Sequence, residues 1–176
     1  MTLEAVYYVS QIVAVGAIIL SLVAIWYQMR QSAKMERAAA QREVLERVSQ
    51  FTRGLSGEAF DHFLLGLNDF EAASGATRNA TELRLFEFAF VTESALNMHR
   101  EGFFSEGTWA GIEGVMLGMI RTPGGAIWWR YAQKMLGFEI SQYLNRRLAQ
   151  IDPETPNYLD FSPYTRLRLS ELKVMP

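Results

Sequence analysis

The hydrophobic pattern changes character once, near residue 27. From Val6 to Tyr27 the chain reads VYYVSQIVAVGAIILSLVAIWY, with Ser10, Gln11 and Ser21 as its polar interruptions and no charged residue. Helical at about 1.5 Å per residue, this stretch is roughly 33 Å long, enough for a hydrocarbon core of about 30 Å. Tyr7 and Tyr8 stand at one end, Trp26 and Tyr27 at the other, where amphipathic rings favour the headgroup layer. The pattern predicts a transmembrane helix over 6–27, preceded by a short non-cytoplasmic stretch, 1–5. A cleaved signal peptide fits poorly: MTLEA carries Glu4 and no basic residue, and no break follows the apolar run.

Beyond the span the pattern becomes amphipathic. In SAKMERAAAQREVLERVSQFTRGL the helix formers dominate, and Val44, Val48, Phe51 and Leu55 recur every three or four residues. A juxtamembrane stalk helix over 28–55, stopping at Gly54 or Gly57, is expected. Ser56 is the expected cap of the next helix, whose apolar face is Phe60, Phe63, Leu64, Leu67 and Phe70. Asn79 and Glu82 have capping-box spacing and open a helix with Leu83, Phe86, Phe90 and Leu96 buried, ended by Gly102. Ser105 caps a fourth segment in which Gly107, Gly111, Gly114 and Gly118 predict close clasping by neighbouring helices. Thr122 and Pro123 start the last helix, which Gly137 kinks or divides. Pro153, Pro156, Pro163 and Pro176 predict an extended tail over 151–176, laid along the bundle through Tyr158, Phe161 and Tyr164. The fold class expected is all-α: a transmembrane helix continuing into a stalk, a cytoplasmic bundle of four to five helices over 56–150, and an extended C-terminal tail.

Charge sets the expected orientation. Arg30, Lys34, Arg37 and Arg42 follow the span, while one acid precedes it, so the C-terminal side is expected in the cytoplasm of an inner membrane. The same four residues are expected at the membrane surface, where each is worth about 1 kcal/mol near anionic lipid. A net charge of −2 gives no electrostatic case for nucleic acid, and the absence of cysteine is compatible with a reducing compartment.

Within the span, Ser10, Ala14, Ala17, Ser21 and Ala24 alternate spacings of three and four. Small side chains let a second helix approach closely, so this seam predicts helix association with another membrane protein or with a second copy.

Candidate chemistry is sparse. The two histidines, His62 and His99, supply no Glu-x-x-His element for a di-iron bundle and too few ligands for zinc. Neither phosphate-loop nor nucleophile motifs occur, and PGG at 123–125 reads as a turn. No catalytic, metal or cofactor-binding residue is expected. Trp109, Trp128, Trp129 and Tyr131, with Arg130 nearby, form the aromatic cluster that would serve a partner or ligand surface, or simply the core.

The Gln28-Met29-Arg30-Gln31 junction, EGFFSEGTW and RTPGGAIWWRYAQKMLGFE together resemble a group of uncharacterised short bacterial single-pass membrane proteins. The resemblance spans most of residues 8–145 and implies the anchored-bundle architecture. The function expected is a non-enzymatic interaction protein, an accessory, anchoring or regulatory subunit of a membrane complex. The alternative is a tethered sensor closing on an apolar ligand beside Trp109 and Trp128.

Overall fold

The computed structural model describes residues 3–174, and every regular element among them is an α-helix. In chain order these are α1 (Leu3–Gly54), α2 (Glu58–Asn68), α3 (Gly75–Arg100), α4 (Glu106–Ile120), α5 (Pro123–Ala132), α6 (Phe138–Leu148) and α7 (Pro163–Val174). The chain divides into two compact units, Met1–Ala40 and Gln41–Pro176.

The first unit is the front of α1. Among the described residues this is the helix long and apolar enough to cross a membrane, and none of its apolar window is buried within the chain. A core helix of a soluble domain would bury that window. Ser10 and Ser21 donate their hydroxyls to the carbonyls of Tyr7 and Ala17, 2.8 Å in each case. Both are thereby satisfied inside their own helix, as serine often is in apolar surroundings.

In the second unit, Val44 and Phe51 of α1 are buried, with Val48 and Leu55 half-buried beside them. Phe51 meets the Phe63 ring edge-on at 6.1 Å and the tilted Phe88 ring at 4.8 Å. The expected face of α2 is the buried one: Phe63, Leu64 and Leu67 are fully enclosed, and Phe70 nearly so. The tightest packing lies where α2, α3 and α5 meet. A Cβ on Gly124 would overlap the Gly66 carbonyl oxygen, and one on Gly66 would overlap the Thr81 hydroxyl. PGG is therefore more than a turn. Pro123 is the first residue of α5, Thr122 caps it by accepting from the Gly125 amide at 3.0 Å, and the two glycines allow the crossing.

Four expectations are corrected. The expected Ser56 cap is replaced by Gly57, whose φ of 55° no side chain would favour. α3 begins at Gly75, ahead of the Asn79 cap, because the Ser74 hydroxyl accepts from the Thr77 amide at 3.2 Å. Its buried face is also different. Leu83 and Phe90 are exposed at 61% and 55%, while Thr77, Thr81, Leu85, Phe88, Ala89, Thr92 and Leu96 point inward. Thr81 donates to the His62 carbonyl at 3.2 Å, and Thr77 pairs with the His62 ring at 2.8 Å. Small residues capable of hydrogen bonding won the inner face because α2 lies so close. Finally, the tail is not extended throughout. Pro163, which suits a first helical turn, starts α7, and Tyr164 stacks on Phe60 at 6.1 Å. Tyr158 packs edge-on to Phe63, but Phe161 stays 85% exposed. Met175 and Pro176 lie outside the described residues.

Two predictions follow from these contacts. Gly124→Ala forces backbone apart and costs about 2 kcal/mol, in the usual range for overpacking. Gly111→Ala, where a Cβ meets open space, should stabilise by roughly 0.5–1 kcal/mol. Chemical denaturation of the full chain in mild detergent measures both, and equal effects would refute the close-approach argument. The second concerns α7, which a bidentate contact ties to α2: Arg168 donates to both Asp61 oxygens, at 2.8 and 2.7 Å. That hydrogen bond holds the Asp61 carboxyl below its ordinary value of 3.8, against the opposing effect of burial. A depressed carboxyl contributes stability above its unfolded value and loses it as pH falls through the folded one. Docking of α7 should be constant down to about pH 5 and weaken as acidity passes the ordinary carboxyl value. Hydrogen exchange across 163–174 reports it, and Asp61→Asn should abolish the acid-dependent loss. A loss that persists in that variant rules the pair out as its cause.

Candidate functional site

The aromatic cluster is inside the bundle. Trp109, Trp128 and Trp129 are 2%, 0% and 5% exposed, whereas Arg130 faces solvent. Trp128 is wedged between Phe86, edge-on at 5.2 Å, and Trp129 at 5.9 Å. The Trp129 indole donates to Asn145 at 2.8 Å. Successive positions on a helix point about 100° apart, yet both Trp128 and Trp129 are buried, because α5 is covered on more than one side.

Trp109 opens a polar chain that single residues in the sequence do not advertise. Its indole donates to the Tyr143 hydroxyl at 3.2 Å, and Tyr143 donates to Glu113 Oε1 at 2.7 Å. Arg147 reaches both oxygens of Glu113, Nε to Oε1 at 2.7 Å and Nη2 to Oε2 at 3.3 Å. Glu113 is only 5% exposed, so a buried carboxylate is met by a guanidinium fork and a phenol. Burial and the bond to Glu113 push the Tyr143 phenol up, with the Trp109 donation opposing, and Glu113 raises Arg147 above its ordinary value. His99 stacks on Trp109 at 5.7 Å and lies 3.4 Å from the Glu106 carboxylate. Residues of α3, α4 and α6 are thus clamped by one network. A clue existed: Glu113 sits among apolar neighbours, and Tyr143 and Arg147 are four apart on α6.

His62 and Asp61 are similarly occupied. His62 lies 3.5 Å from Glu58 but is turned toward Thr77, and Asp61 belongs to Arg168. Among the described residues, no three His, Cys, Asp or Glu side chains are grouped to hold a metal ion.

What the second unit leaves open is an apolar groove of about 280 Å³. Val48, Phe51 and Thr52 at the end of α1, with Leu55 just after it, form one wall, and Gly111, Ile112, Val115 and Met119 of α4 form the other. Phe60, Phe88 and Tyr158 complete it. No carboxylate, guanidinium or ammonium lines it; its one titratable group is the Tyr158 phenol, which burial pushes up. Gly111 and Gly114 face open space and Val115 is 39% exposed, so the α4 wall is low and accessible. A larger hollow of about 530 Å³ lies between Glu43, Glu46, Arg47 and Gln50 of α1 and Glu87, Phe90 and Val91 of α3. Its rim is charged and carries little apolar driving force, so the smaller groove is the better receptor for a hydrophobic side chain.

The seam residues Ser10, Ala14, Ala17, Ser21 and Ala24 are all exposed on α1, as are the basic residues Arg30, Lys34, Arg37 and Arg42.

Removing the buried carboxylate should be costly. Glu113→Ala is expected to destabilise the full chain by about 2 kcal/mol, the range for losing hydrogen bonds to a charged group. Urea denaturation in mild detergent checks this, and a change below about 0.5 kcal/mol, the level of an ordinary surface substitution, would show that the network does not hold the three helices. No protein-family model, curated protein or solved structure matches the chain, so the candidate surface rests on its own geometry.

Proposed function

We propose that this chain is a single-pass inner-membrane protein, N-terminus outside, whose helical cytoplasmic domain binds another protein as an accessory, anchoring or regulatory subunit of a membrane complex. One observation carries the reading: the apolar groove between the end of α1 and α4, open at the surface and free of ionised groups. Accessible apolar surface gathered in one place suits a hydrophobic side chain of a partner protein. The span supports it independently, since its small-residue seam suits close approach by a neighbouring helix. The asymmetry of Arg30, Lys34, Arg37 and Arg42 supports the orientation. A ligand lodged beside Trp109 and Trp128 would have to displace packed rings, which weighs toward the surface groove.

The test is purification of the tagged full chain from its native membrane in mild detergent, beside two variants. Gly111→Leu with Val115→Asp plugs and charges the groove at positions open to solvent. Ala17→Leu with Ser21→Leu blocks the seam. A stoichiometric protein partner that the groove variant loses at least tenfold supports the reading. A chain that emerges alone, or a partner retained equally by the groove variant, overturns it.

A further inference from the structure

The helix surface just beyond the span is sorted by charge. Tyr27, Arg30, Gln31 and Lys34 line a shallow hollow of about 180 Å³ on the surface of α1. At 3.6 residues per turn they fall within about 100° of arc. Two cations, a phenol and a carboxamide therefore open to one side. The Arg30 guanidinium lies 5.5 Å from the Trp26 ring centroid, so the indole steadies its approach to the membrane edge. Arg37 falls on the same side by spacing, and Glu36 lies on the opposite one. The small-residue seam, Ser10 to Ala24, is centred about 110° around the helix from this basic face.

We infer that this face is a binding site for one anionic phospholipid headgroup. The site presupposes the proposed membrane anchoring and adds to it a lipid class and a rotational setting. A phosphodiester needs what the hollow offers: a guanidinium for two of its oxygens, an ammonium as a point charge, and neutral donors for the remainder. Trp26 and Tyr27 mark the depth at which a lipid phosphate lies. A basic ring around the whole helix would attract anionic lipid without choosing an orientation. A one-sided hollow holds the headgroup on one face, and the helix geometry then leaves the seam free for a neighbouring helix.

The experiment uses the full chain extracted in mild detergent from bilayers of equal zwitterionic and anionic glycerophospholipid, with native mass spectrometry counting the lipids retained. The unaltered chain should keep anionic lipid in preference to zwitterionic lipid. Arg30→Gln with Lys34→Gln should lower that retention on the order of tenfold, from two basic contacts at the surface. Arg78→Gln with Arg146→Gln removes the same charge from exposed positions elsewhere and should leave retention unchanged. Equal losses in both variants, or none in the first, overturn the site. Loss of a bound acidic protein in place of lipid also overturns it and identifies the face as a protein contact. A chain released from the bilayer by an alkaline carbonate wash removes the anchoring proposal itself, a result separate from the lipid count.

Discussion

The second unit depends on one close approach, the meeting of α2, α3 and α5 at Gly66, Thr81 and Gly124. Backbone lies against backbone between α2 and α5, so no side chain fits there, and between α2 and α3 only the small Thr81 side chain intervenes, its hydroxyl bonding directly to the α2 carbonyl of His62. The rest of the packing follows. α3 must present its small and hydroxylated residues to α2, which sends Leu83 and Phe90 outward. α5 must begin at Thr122–Pro123, which carries Trp128 and Trp129 into the interior. Interiors at native density transmit such a restraint because few voids exist to absorb it.

Much of the helix inventory was legible, and what escaped has physical reasons. Ser105, Thr122 and Gly102 act locally, through a side-chain bond or a positive φ, and they end or cap helices where the sequence predicts. The inner face of α3 is not legible from hydrophobicity because large aromatics outweigh threonines there. Hydrophobicity ranks Phe90 above Thr81, but the distance to α2 selects the smaller residue. The cap of α3 differs for a similar reason: Asn79 has good spacing, yet Ser74 offers a hydroxyl five residues earlier. Such competition between two local solutions is settled by packing, which spacing alone does not encode.

The tail shows a different limit. Its prolines correctly mark irregular chain from 152 to 156, but that loop is ordered by a partner far away in sequence. Arg121, following α4, donates to the carbonyls of Asp152, Pro153, Thr155 and Pro156, at 3.2, 3.2, 2.6 and 3.4 Å. One guanidinium therefore meets backbone acceptors that no regular element could satisfy, which is why the loop stays close to α4. α7 then docks through Arg168 and Asp61, separated by 107 residues. Long-range charge pairs of this sort leave no periodic trace.

The same distinction bears on α4. Its glycines were expected to be clasped; Gly118 does approach the backbone of Tyr158, but Gly107, Gly111 and Gly114 face open space. Glycine within a helix costs about 1 kcal/mol relative to alanine, and nothing inside the chain requires the missing Cβ at these three positions. A local rule broken without internal compensation is characteristic of a surface shaped by something outside the fold. Gly111 lines the apolar groove together with Val115, so one of the three uncompensated positions falls on the unfilled hydrophobic surface. Carboxylates elsewhere are paired: buried Glu113 is served by Tyr143 and Arg147, and half-buried Asp61 by Arg168. With these carboxylates paired in this way, an unfilled apolar groove is harder to ascribe to loose packing. It supports a contact that forms when a second molecule arrives.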